Sequence, residues 1–291
     1  MNRWIKLIGV LSLSLLIVGC IEPSVNKMQE KRLNLPAITK YDTNKHYSGK
    51  FVWHDLITDD VSGAKRFYGA LFGWTFEDNG NYIVIMHDKK PIGGMMKVTS
   101  SAQKNVEALW LPSISVANVD NAVKYVKKHK GKVIKGPLEM EVRGKGALVS
   151  DVQGAHFVLL HSKTGDPLDA TPQIGDWLWN ELWTNDGKTS YNFYRELGHY
   201  DRAKEKNHYR ILTSKGKWRA GIRTITSEKV KTHWVPVIRV ADPKSITNKV
   251  LRLGGKVLFE PNASLYNGNV AVIVDNAGAL VIVQRWTKEQ K

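Results

Sequence analysis

The chain has 291 residues, a net charge of +16 and a single cysteine, Cys20. One cysteine excludes intramolecular disulfides, so the fold must be stabilised by its core. The excess of lysine and arginine indicates a cationic surface that attracts polyanions. No basic run extends beyond residues 127–130 and no nucleic-acid motif is visible, so we expect no nucleic-acid partner.

Residues 1–20 combine a short cationic start, an apolar run and the single cysteine. Two cations precede an apolar run over residues 7–19, which is too short to cross a bilayer core of ~30 Å as a mature helix. The sequence Ile-Val-Gly-Cys at 17–20 resembles a lipobox. The resemblance implies that residues 1–19 are a bacterial lipoprotein signal peptide, with cleavage before Cys20, lipid attachment to its sulfur and acylation of the new amino terminus. An uncleaved anchor and an ordinary secretory signal are the alternatives.

Residues 20–49 contain two prolines and no sustained apolar periodicity, and they predict a flexible tether after the lipidated cysteine. We therefore expect an exported protein anchored to the cell envelope, because several acyl chains together give stable attachment. Ile21, rather than aspartate, indicates the outer membrane facing the periplasm if the source is Gram-negative. Loss of Arg3 and Lys6 with the signal leaves a charge of +14. That charge favours either anionic envelope polymers as partners or simply a solvated surface.

The remaining sequence is an internal duplication. Residues 53–60 align with residues 179–186 at an offset of 126, and Phe67-Tyr68 aligns with Phe193-Tyr194 at the same offset. Further identities follow at an offset of 124: residues 110–112 with 234–236, 131–133 with 255–257, and Asp151 and Gly154 with Asp275 and Gly278. Two such series of matches predict that the chain folds as two similar halves.

Within each half the pattern is a strand, a helix and several short strands, given twice. Residues 51–57 predict a strand, and Asp59 or Asp60 can cap the helix that follows. That helix carries apolar residues at helical spacing from Val61 to Leu71 and ends at Gly73. The remaining predicted elements of the first half are strands at 82–85, 92–98 and 109–116, a helix at 119–130, and strands at 132–134, 147–149 and 157–160.

These residues carry a family resemblance. Residues 53–56 (Trp-His-Asp-Leu), 67–74 (Phe-Tyr-Gly-Ala-Leu-Phe-Gly-Trp) and Asp151 with Gly154-Ala155 resemble the glyoxalase/bleomycin resistance/extradiol dioxygenase, or vicinal-oxygen-chelate (VOC), superfamily, in its tandem glyoxalase-like branch. The resemblance implies an α+β fold of two tandem domains, whose four βαβββ modules form curled, incomplete mixed β-barrels around clefts. It places the first domain at 50–163, a linker at 164–175, the second domain at 176–286 and a tail at 287–291.

The metal site of that superfamily does not carry over. Metal-dependent members place histidine, glutamine or glutamate on the first strand of each module and glutamate on its last strand. Imidazole and carboxylate ligands suit a divalent ion that keeps open positions for a chelating substrate. Here the equivalent positions fall on Trp53, Leu111 and Val158 in the first half, and on Trp179, Val235 and Ile282 in the second. We therefore expect no cofactor; a divalent metal held by displaced ligands is the alternative.

Asp55 and Glu181 are the most interesting polar candidates. They occupy matching positions on the first strand of each half, on the same face as Trp53 and Trp179. An acid beside an aromatic ring could orient a cationic or hydroxylated ligand, or act as a base if burial raised its pKa. The other interpretation is a buried carboxylate that accepts hydrogen bonds from tryptophan or backbone N–H groups. Both interpretations stay open at this point.

Two further residues complete the set of candidate ligand-binding residues. Arg223 could bind an anion in the second half, and His233, two residues before Val235, is the best candidate for an imidazole that faces a cleft. Trp110 and Trp234 point to the face of their strands opposite to the predicted ligand positions, and we expect them to pack against helices. No residue is assigned a catalytic role.

The sequence favours a metal-free binding protein with an aromatic-lined cleft for a small organic molecule, by analogy with ligand capture in this fold. One alternative is a metal-dependent lyase, isomerase or dioxygenase that uses displaced ligands such as His233, Asp55 or Glu181. The other is an envelope protein that binds anionic polymers. The metal content of the purified protein separates the metal-dependent enzyme from the binding protein. Strongly salt-dependent binding to anionic polymers would favour the third function.

Overall fold

The structure is a computed structural model that describes residues 35–97, 108–225, 231–263 and 266–286. Cys20, the predicted signal peptide and the predicted tail at 287–291 lie outside these ranges. Within them, no helix combines the length and apolar character needed to cross a bilayer.

The first half forms one open, eight-stranded mixed sheet with the order β2-β3-β4-β1-β5-β8-β7-β6. Strands β1 and β5 pair antiparallel at its centre, and each has a parallel neighbour, β4 or β8. The elements are β1 (Phe51–Thr58), α1 (Val61–Phe72), β2 (Thr75–Asp78), β3 (Ile83–His87), β4 (Lys90–Lys97), β5 (Leu109–Ser115), α2 (Val119–Lys128), β6 (Lys132–Met140), β7 (Gly144–Ser150) and β8 (His156–Ser162).

The second half forms a seven-stranded mixed sheet with the order β10-β11-β9-β12-β15-β14-β13. Its elements are β9 (Trp177–Thr184), α3 (Gly187–Leu197), β10 (Tyr209–Ser214), β11 (Lys217–Thr224), β12 (His233–Arg239), α4 (Pro243–Val250), β13 (Lys256–Phe259), β14 (Val270–Val274) and β15 (Leu280–Gln284), with short 3₁₀ turns at Leu251–Leu253 and Tyr266–Gly268.

The duplication and the α+β class predicted from the sequence are confirmed, with one local difference. Residues 201–206 stand where the first half has β2, and they contribute a single isolated bridge between Lys206 and Tyr209. This segment, Asp-Arg-Ala-Lys-Glu-Lys, is mostly charged and exposed, so it has no apolar face to pair against the sheet.

Helix α1 shows how the local sequence sets the ends of an element. The Asp60 side chain accepts a hydrogen bond from the Gly63 amide at 2.8 Å, which satisfies one of the free N–H groups of the first turn. Gly73 ends the helix with a φ of 73°, a left-handed conformation that costs glycine little. Both boundaries agree with the sequence prediction.

The helices pack between the two halves. One core cluster joins Phe67 and Tyr68 of α1 to Val250 of α4 and Ile273 of β14. A second cluster joins α2 and β8 of the first half to α3 and β12 of the second. Trp110 donates a hydrogen bond to the Tyr68 hydroxyl (2.9 Å), and Trp234 donates one to Tyr194 (3.0 Å). The predicted packing of both tryptophans against helices is therefore confirmed.

The predicted tether differs from expectation in its described part. Residues 35–49, which we call the strap, lie against the first half instead of standing free. Leu35 and Ile38 are 7% and 1% exposed, and the Thr43 amide donates to the Thr164 carbonyl at 2.9 Å. Two isolated apolar residues have no periodicity that a sequence pattern can detect, so their burial depends on a surface built from distant strands. Residues 20–34 lie outside the described ranges.

Candidate functional site

Each sheet has a face opposite the helices, and the candidate site residues collect on these two faces. The first cleft is the helix-free face of the eight-stranded sheet, around Trp53 and Asp55. The second cleft is the helix-free face of the seven-stranded sheet, around Trp179 and Glu181. Side chains two residues apart on one strand share a face, so Trp53 lies beside Asp55 and Trp179 beside Glu181. Across the sheet, Trp53 pairs with Ser113 and Trp179 with Val237.

In the first cleft, Asp55 is enclosed by three donors. Trp53 Nε1 donates to Asp55 Oδ1 at 3.0 Å, and the Tyr82 hydroxyl donates to the same oxygen at 2.5 Å. Arg143 Nη1 lies 3.5 Å from Asp55 Oδ2. Burial, with Asp55 adding to it, raises the pKa of Tyr82 well above its usual value, so this hydroxyl keeps its proton. Asp55 therefore acts as a buried hydrogen-bond acceptor that holds the cleft together.

In the second cleft, Glu181 is paired with an arginine from its own sheet. Arg223 Nε donates to Glu181 Oε1 at 2.6 Å and Nη2 to Oε2 at 3.3 Å, and Trp183 Nε1 donates to Oε1 at 2.8 Å. Burial alone would lower the pKa of Arg223, but the hydrogen bonds and charge of Glu181 outweigh it and raise that pKa. The bidentate contact fixes the guanidinium and cancels the carboxylate charge.

Two tyrosines cover the guanidinium of Arg223. Its central carbon lies 4.6 Å from the centre of the Tyr209 ring and 5.4 Å from that of Tyr266. Arg223 Nη2 also donates to the Tyr266 hydroxyl. The Tyr209 hydroxyl is buried with no hydrogen-bond partner among the described residues. Burial, reinforced by the charge of Glu181, raises the pKa of Tyr209, so its hydroxyl keeps its proton.

The tyrosines depend on glycines that face the acids. Gly94 pairs with Asp55 across β1 and β4, and Gly221 pairs with Glu181 across β9 and β11. A Cβ at Gly94 would overlap the Tyr82 hydroxyl, and one at Gly221 would overlap the Tyr209 hydroxyl. Each glycine thus provides the room in which a tyrosine approaches the carboxylate.

His233 lies at the edge of the second cleft, away from its acid. It pairs in register with Trp183 and packs against that ring edge-on at 5.7 Å. Its Nδ1 lies 2.6 Å from the Lys231 carbonyl oxygen. Burial lowers the pKa of His233. The imidazole therefore supports Trp183, which in turn donates to Glu181.

A cavity of about 490 Å³ opens beside Arg223 in the second cleft. Its wall includes Lys204, Lys206, Tyr209, Ile211, Arg223 and Tyr266. Outside this wall, Trp179 and Trp218 stack with ring centres 5.8 Å apart, and the Trp179 ring centre lies 6.4 Å from that of Tyr209. A second cavity of about 170 Å³ lies between Leu71 of α1 and Ile246 of α4 and is largely apolar. Volume and available charge both favour the second cleft as the site for a ligand.

Sequence reasoning missed Tyr82, Arg143, Tyr209 and Tyr266. Part of the signal was present, because Tyr82 and Gly94 align with Tyr209 and Gly221 at a third offset, 127. Arg143 gave no such signal. It reaches Asp55 from the connection between β6 and β7, whereas the arginine of the second cleft sits on β11.

The two halves form open mixed sheets in tandem, the α+β arrangement that the resemblance to the VOC superfamily implied. Residues 46–159 match the family model of the Glyoxalase/Bleomycin resistance protein/Dioxygenase superfamily. The first half of the chain is therefore similar to this superfamily, as the sequence resemblance indicated.

Curated relatives extend the similarity over both halves. The chain is 26% identical over 248 residues to a protein of Mycobacterium tuberculosis named "Putative glyoxylase CFP32", an alignment that covers 82% of this chain and 95% of that protein. It is 25% identical over 255 residues to the "Anthracycline biosynthesis protein DnrV" of Streptomyces peucetius, covering 79% and 91%.

Solved structures share the fold at low identity. The Mn(II)-bound glyoxalase from Novosphingobium aromaticivorans superposes with a TM-score of 0.55 at 11% identity, covering 83% of this chain and 82% of that one. Homoprotocatechuate 2,3-dioxygenase from Brevibacterium fuscum, as its E323L mutant, gives a TM-score of 0.58 at 12% identity, covering 84% and 73%.

The residues present do not fit a metal ion such as the Mn(II) bound by the Novosphingobium aromaticivorans glyoxalase. Among the described residues, no group of three or more histidine, cysteine, aspartate or glutamate side chains is placed to hold an ion. In the strand register Trp53 lies in one row with Ser113 and Val158, and Trp179 lies in one row with Val237 and Ile282. The predicted positions Leu111 and Val235 were therefore wrong by two residues, because they pair with Asp55 and Glu181 instead. Asp55 and Glu181 each already face a guanidinium, whose positive charge would repel a cation.

Proposed function

We propose that this protein binds a small organic anion in the second cleft without using a metal ion. The observation that carries the proposal is the cavity of about 490 Å³ beside the fixed guanidinium of Arg223. This volume lies within the range of roughly 300–1,000 Å³ that is usual for small-molecule sites.

The charge of the wall favours an anion. The charge of Glu181 is already cancelled by Arg223. Lys204 and Lys206 line the same cavity, and neither forms an ion pair within the described residues. A ligand with one negative group would therefore meet a surplus of two positive charges, which increases both its affinity and its rate of association.

The aromatic residues favour a flat apolar part in the ligand. Tyr209 and Tyr266 form part of the wall, and the Trp179 ring packs 6.4 Å from that of Tyr209. Aromatic rings gain from offset stacking on such surfaces. A relative named for anthracycline biosynthesis agrees with a ligand that carries fused aromatic rings.

A matched series of naphthalene probes tests this proposal by calorimetry. We expect 2-naphthoate to bind more tightly than 2-naphthamide, and 2-naphthylmethylammonium to bind least. Replacing Lys204→Gln and Lys206→Gln together should weaken naphthoate binding about tenfold, in line with the loss of about 1.4 kcal/mol. The control pair, Lys215→Gln and Lys217→Gln, removes the same charge from the tip of the β10–β11 hairpin and should leave affinity unchanged.

The same experiment separates the alternative functions. If both lysine pairs weaken binding equally, and salt abolishes it, the interaction is a general attraction of polyanions to the cationic surface. If the three probes bind alike, the cleft recognises the ring and not the charge. Either result contradicts the proposal of an anion site.

We also propose that the protein is a lipoprotein of the cell envelope, on the sequence of residues 17–20 alone. Expression in a bacterium supplied with alkyne-labelled palmitate should label the protein and retain it in the membrane fraction. The variant Cys20→Ser should be unlabelled. Labelling that survives this substitution, or a wild-type protein that stays unlabelled, contradicts the proposal.

A further inference from the structure

The first cleft is filled by the strap. Leu35 and Ile38 are buried in one cluster with Trp53, Tyr82 and Leu160 of the eight-stranded sheet. Partly buried side chains from neighbouring strands, Met86, Met96, Met140 and Val158, complete the wall around them. Methionine adapts its shape to what it contacts, which suits a wall that receives an inserted apolar group.

One buried cation recognises the backbone of the strap. Arg143 Nε donates a hydrogen bond to the Pro36 carbonyl at 2.9 Å. The guanidinium is held in place from behind, because Nη2 donates to the Tyr82 hydroxyl at 2.9 Å and Nη1 faces Asp55. Arg143 is 3% exposed and its guanidinium carbon lies 4.8 Å from the centre of the Trp53 ring. A fixed donor between apolar walls is the arrangement of a binding site.

The second half shows that the fold does not require such an occupant. Residues 164–175, which lead into the second sheet as the strap leads into the first, remain outside the second cleft. Asp169 pairs there with Arg219 at 2.6 Å and with Lys50 at 2.9 Å. Leu168 and Ile174 are each 57% exposed. Filling of the cleft is therefore a property of the first half and of its own side chains.

We propose that the first cleft is a peptide-binding site whose resident occupant is residues 35–38 of the same chain. Its ligand class is an extended aliphatic segment with two buried side chains and a carbonyl oxygen between them that accepts from Arg143. Displacement of the strap opens the site to a free peptide of this kind. This site is independent of the anion proposed for the second cleft.

The peptide acetyl-Leu-Pro-Ala-Ile-amide is the probe, measured by calorimetry on the full chain. The double variant Leu35→Asp/Ile38→Asp should bind one molecule, because two buried carboxylates cannot remain in the apolar cleft. The wild type should bind about a hundredfold more weakly, since apparent affinity falls with the fraction of protein whose cleft is open. Tyr41→Asp, at a residue 73% exposed on the same strap, is the matched control and should behave as wild type.

A second variant and a wild-type measurement keep the proposal testable if the aspartates prevent folding. The double variant Leu35→Ala/Ile38→Ala should also bind the peptide more tightly than the wild type, but by a smaller factor than the aspartate variant. In the wild type, millimolar peptide should accelerate hydrogen exchange of the Ile38 and Thr39 amides while leaving β1 unchanged. A folded strap variant that does not bind the peptide, equal binding by wild type and variants, or unaltered exchange at saturating peptide overturns the proposal.

Discussion

His54 Nε2 donates a hydrogen bond to Asn180 Oδ1 at 2.9 Å, and the two residues occupy the same position in the two halves of the chain. A contact between equivalent positions lies where a pseudo-twofold axis crosses the interface, as in an isologous dimer. The relationship is repeated away from the axis. Tyr68 of the first half donates to Asp275 of the second at 3.0 Å, and Tyr194 of the second donates to Asp151 of the first at 3.1 Å. The two halves of the chain therefore pack against each other with pseudo-twofold symmetry, as the subunits of a homodimer do.

We expect stability to fall in mild acid through His54. Burial lowers the pKa of His54 from 6.5 to about 4. Between these values the unfolded chain takes up a proton that the folded protein refuses, so stability decreases as pH falls and is fully present above pH 6.5. The loss approaches about 3 kcal/mol across this window. We expect His54→Asn to reduce the slope of the free energy of unfolding against pH by the amount that corresponds to one proton. Urea unfolding series from pH 7.5 to 4.5 measure this slope. Parallel slopes for variant and wild type would show that His54 does not titrate in this way.

The two tyrosine–aspartate contacts should prove equivalent. Tyr68→Phe removes a hydroxyl that donates to Asp275 and accepts from Trp110, so two buried polar groups lose a partner. We expect a cost of about 1–3 kcal/mol, and a similar cost for Tyr194→Phe. Tyr41→Phe on the exposed strap surface is the control. Denaturant unfolding measures all three, and a large difference between the two buried sites contradicts the pseudo-symmetric account.

The paired glycines should respond differently to alanine. At Gly94 a Cβ would overlap the Tyr82 hydroxyl and lie 2.7 Å from Asp55 Oδ1, in a fully packed cleft. Gly94→Ala should therefore cost about 1–3 kcal/mol of stability. At Gly221 the displaced side chain is Tyr209, which can move into the adjacent cavity. Gly221→Ala should cost less stability but weaken naphthoate binding. Thermal unfolding measures the two stability losses and calorimetry the naphthoate affinity. A larger stability loss for Gly221→Ala than for Gly94→Ala, with naphthoate affinity unchanged, would contradict the assignment of a closed first cleft and an open second cleft.

Divalent metal ions should leave the protein unchanged. The carboxylates of both clefts face guanidinium groups, at 3.5 Å for Asp55 and 2.6 Å for Glu181. After incubation with manganese, iron, nickel or zinc, we expect only substoichiometric metal by plasma mass spectrometry and an unaltered thermal unfolding temperature. A stoichiometric metal that is lost in Glu181→Ala or His233→Ala would point instead to a metal-dependent lyase or dioxygenase.

Much of the fold follows from local sequence. The repeat of residues 53–60 at 179–186 predicts two similar halves, because identical patterns of apolar residues bury the same faces. Asp60 and Gly73 set the ends of α1 through interactions that span only a few residues. Trp53 and Asp55 are two residues apart, so they lie on one face of the sheet, because side chains alternate along any strand.

The state of each cleft was decided by tertiary structure. No pattern near Arg143 indicates that it meets Asp55, and none near Leu35 or Ile38 indicates that they fill the first cleft. Such contacts join residues far apart in sequence, and they depend on how strands from different modules are placed in space. The sequence alone therefore determined the duplicated architecture and the faces of its strands. Only the folded chain determined that one cleft is closed by the strap and that the other remains open beside Arg223.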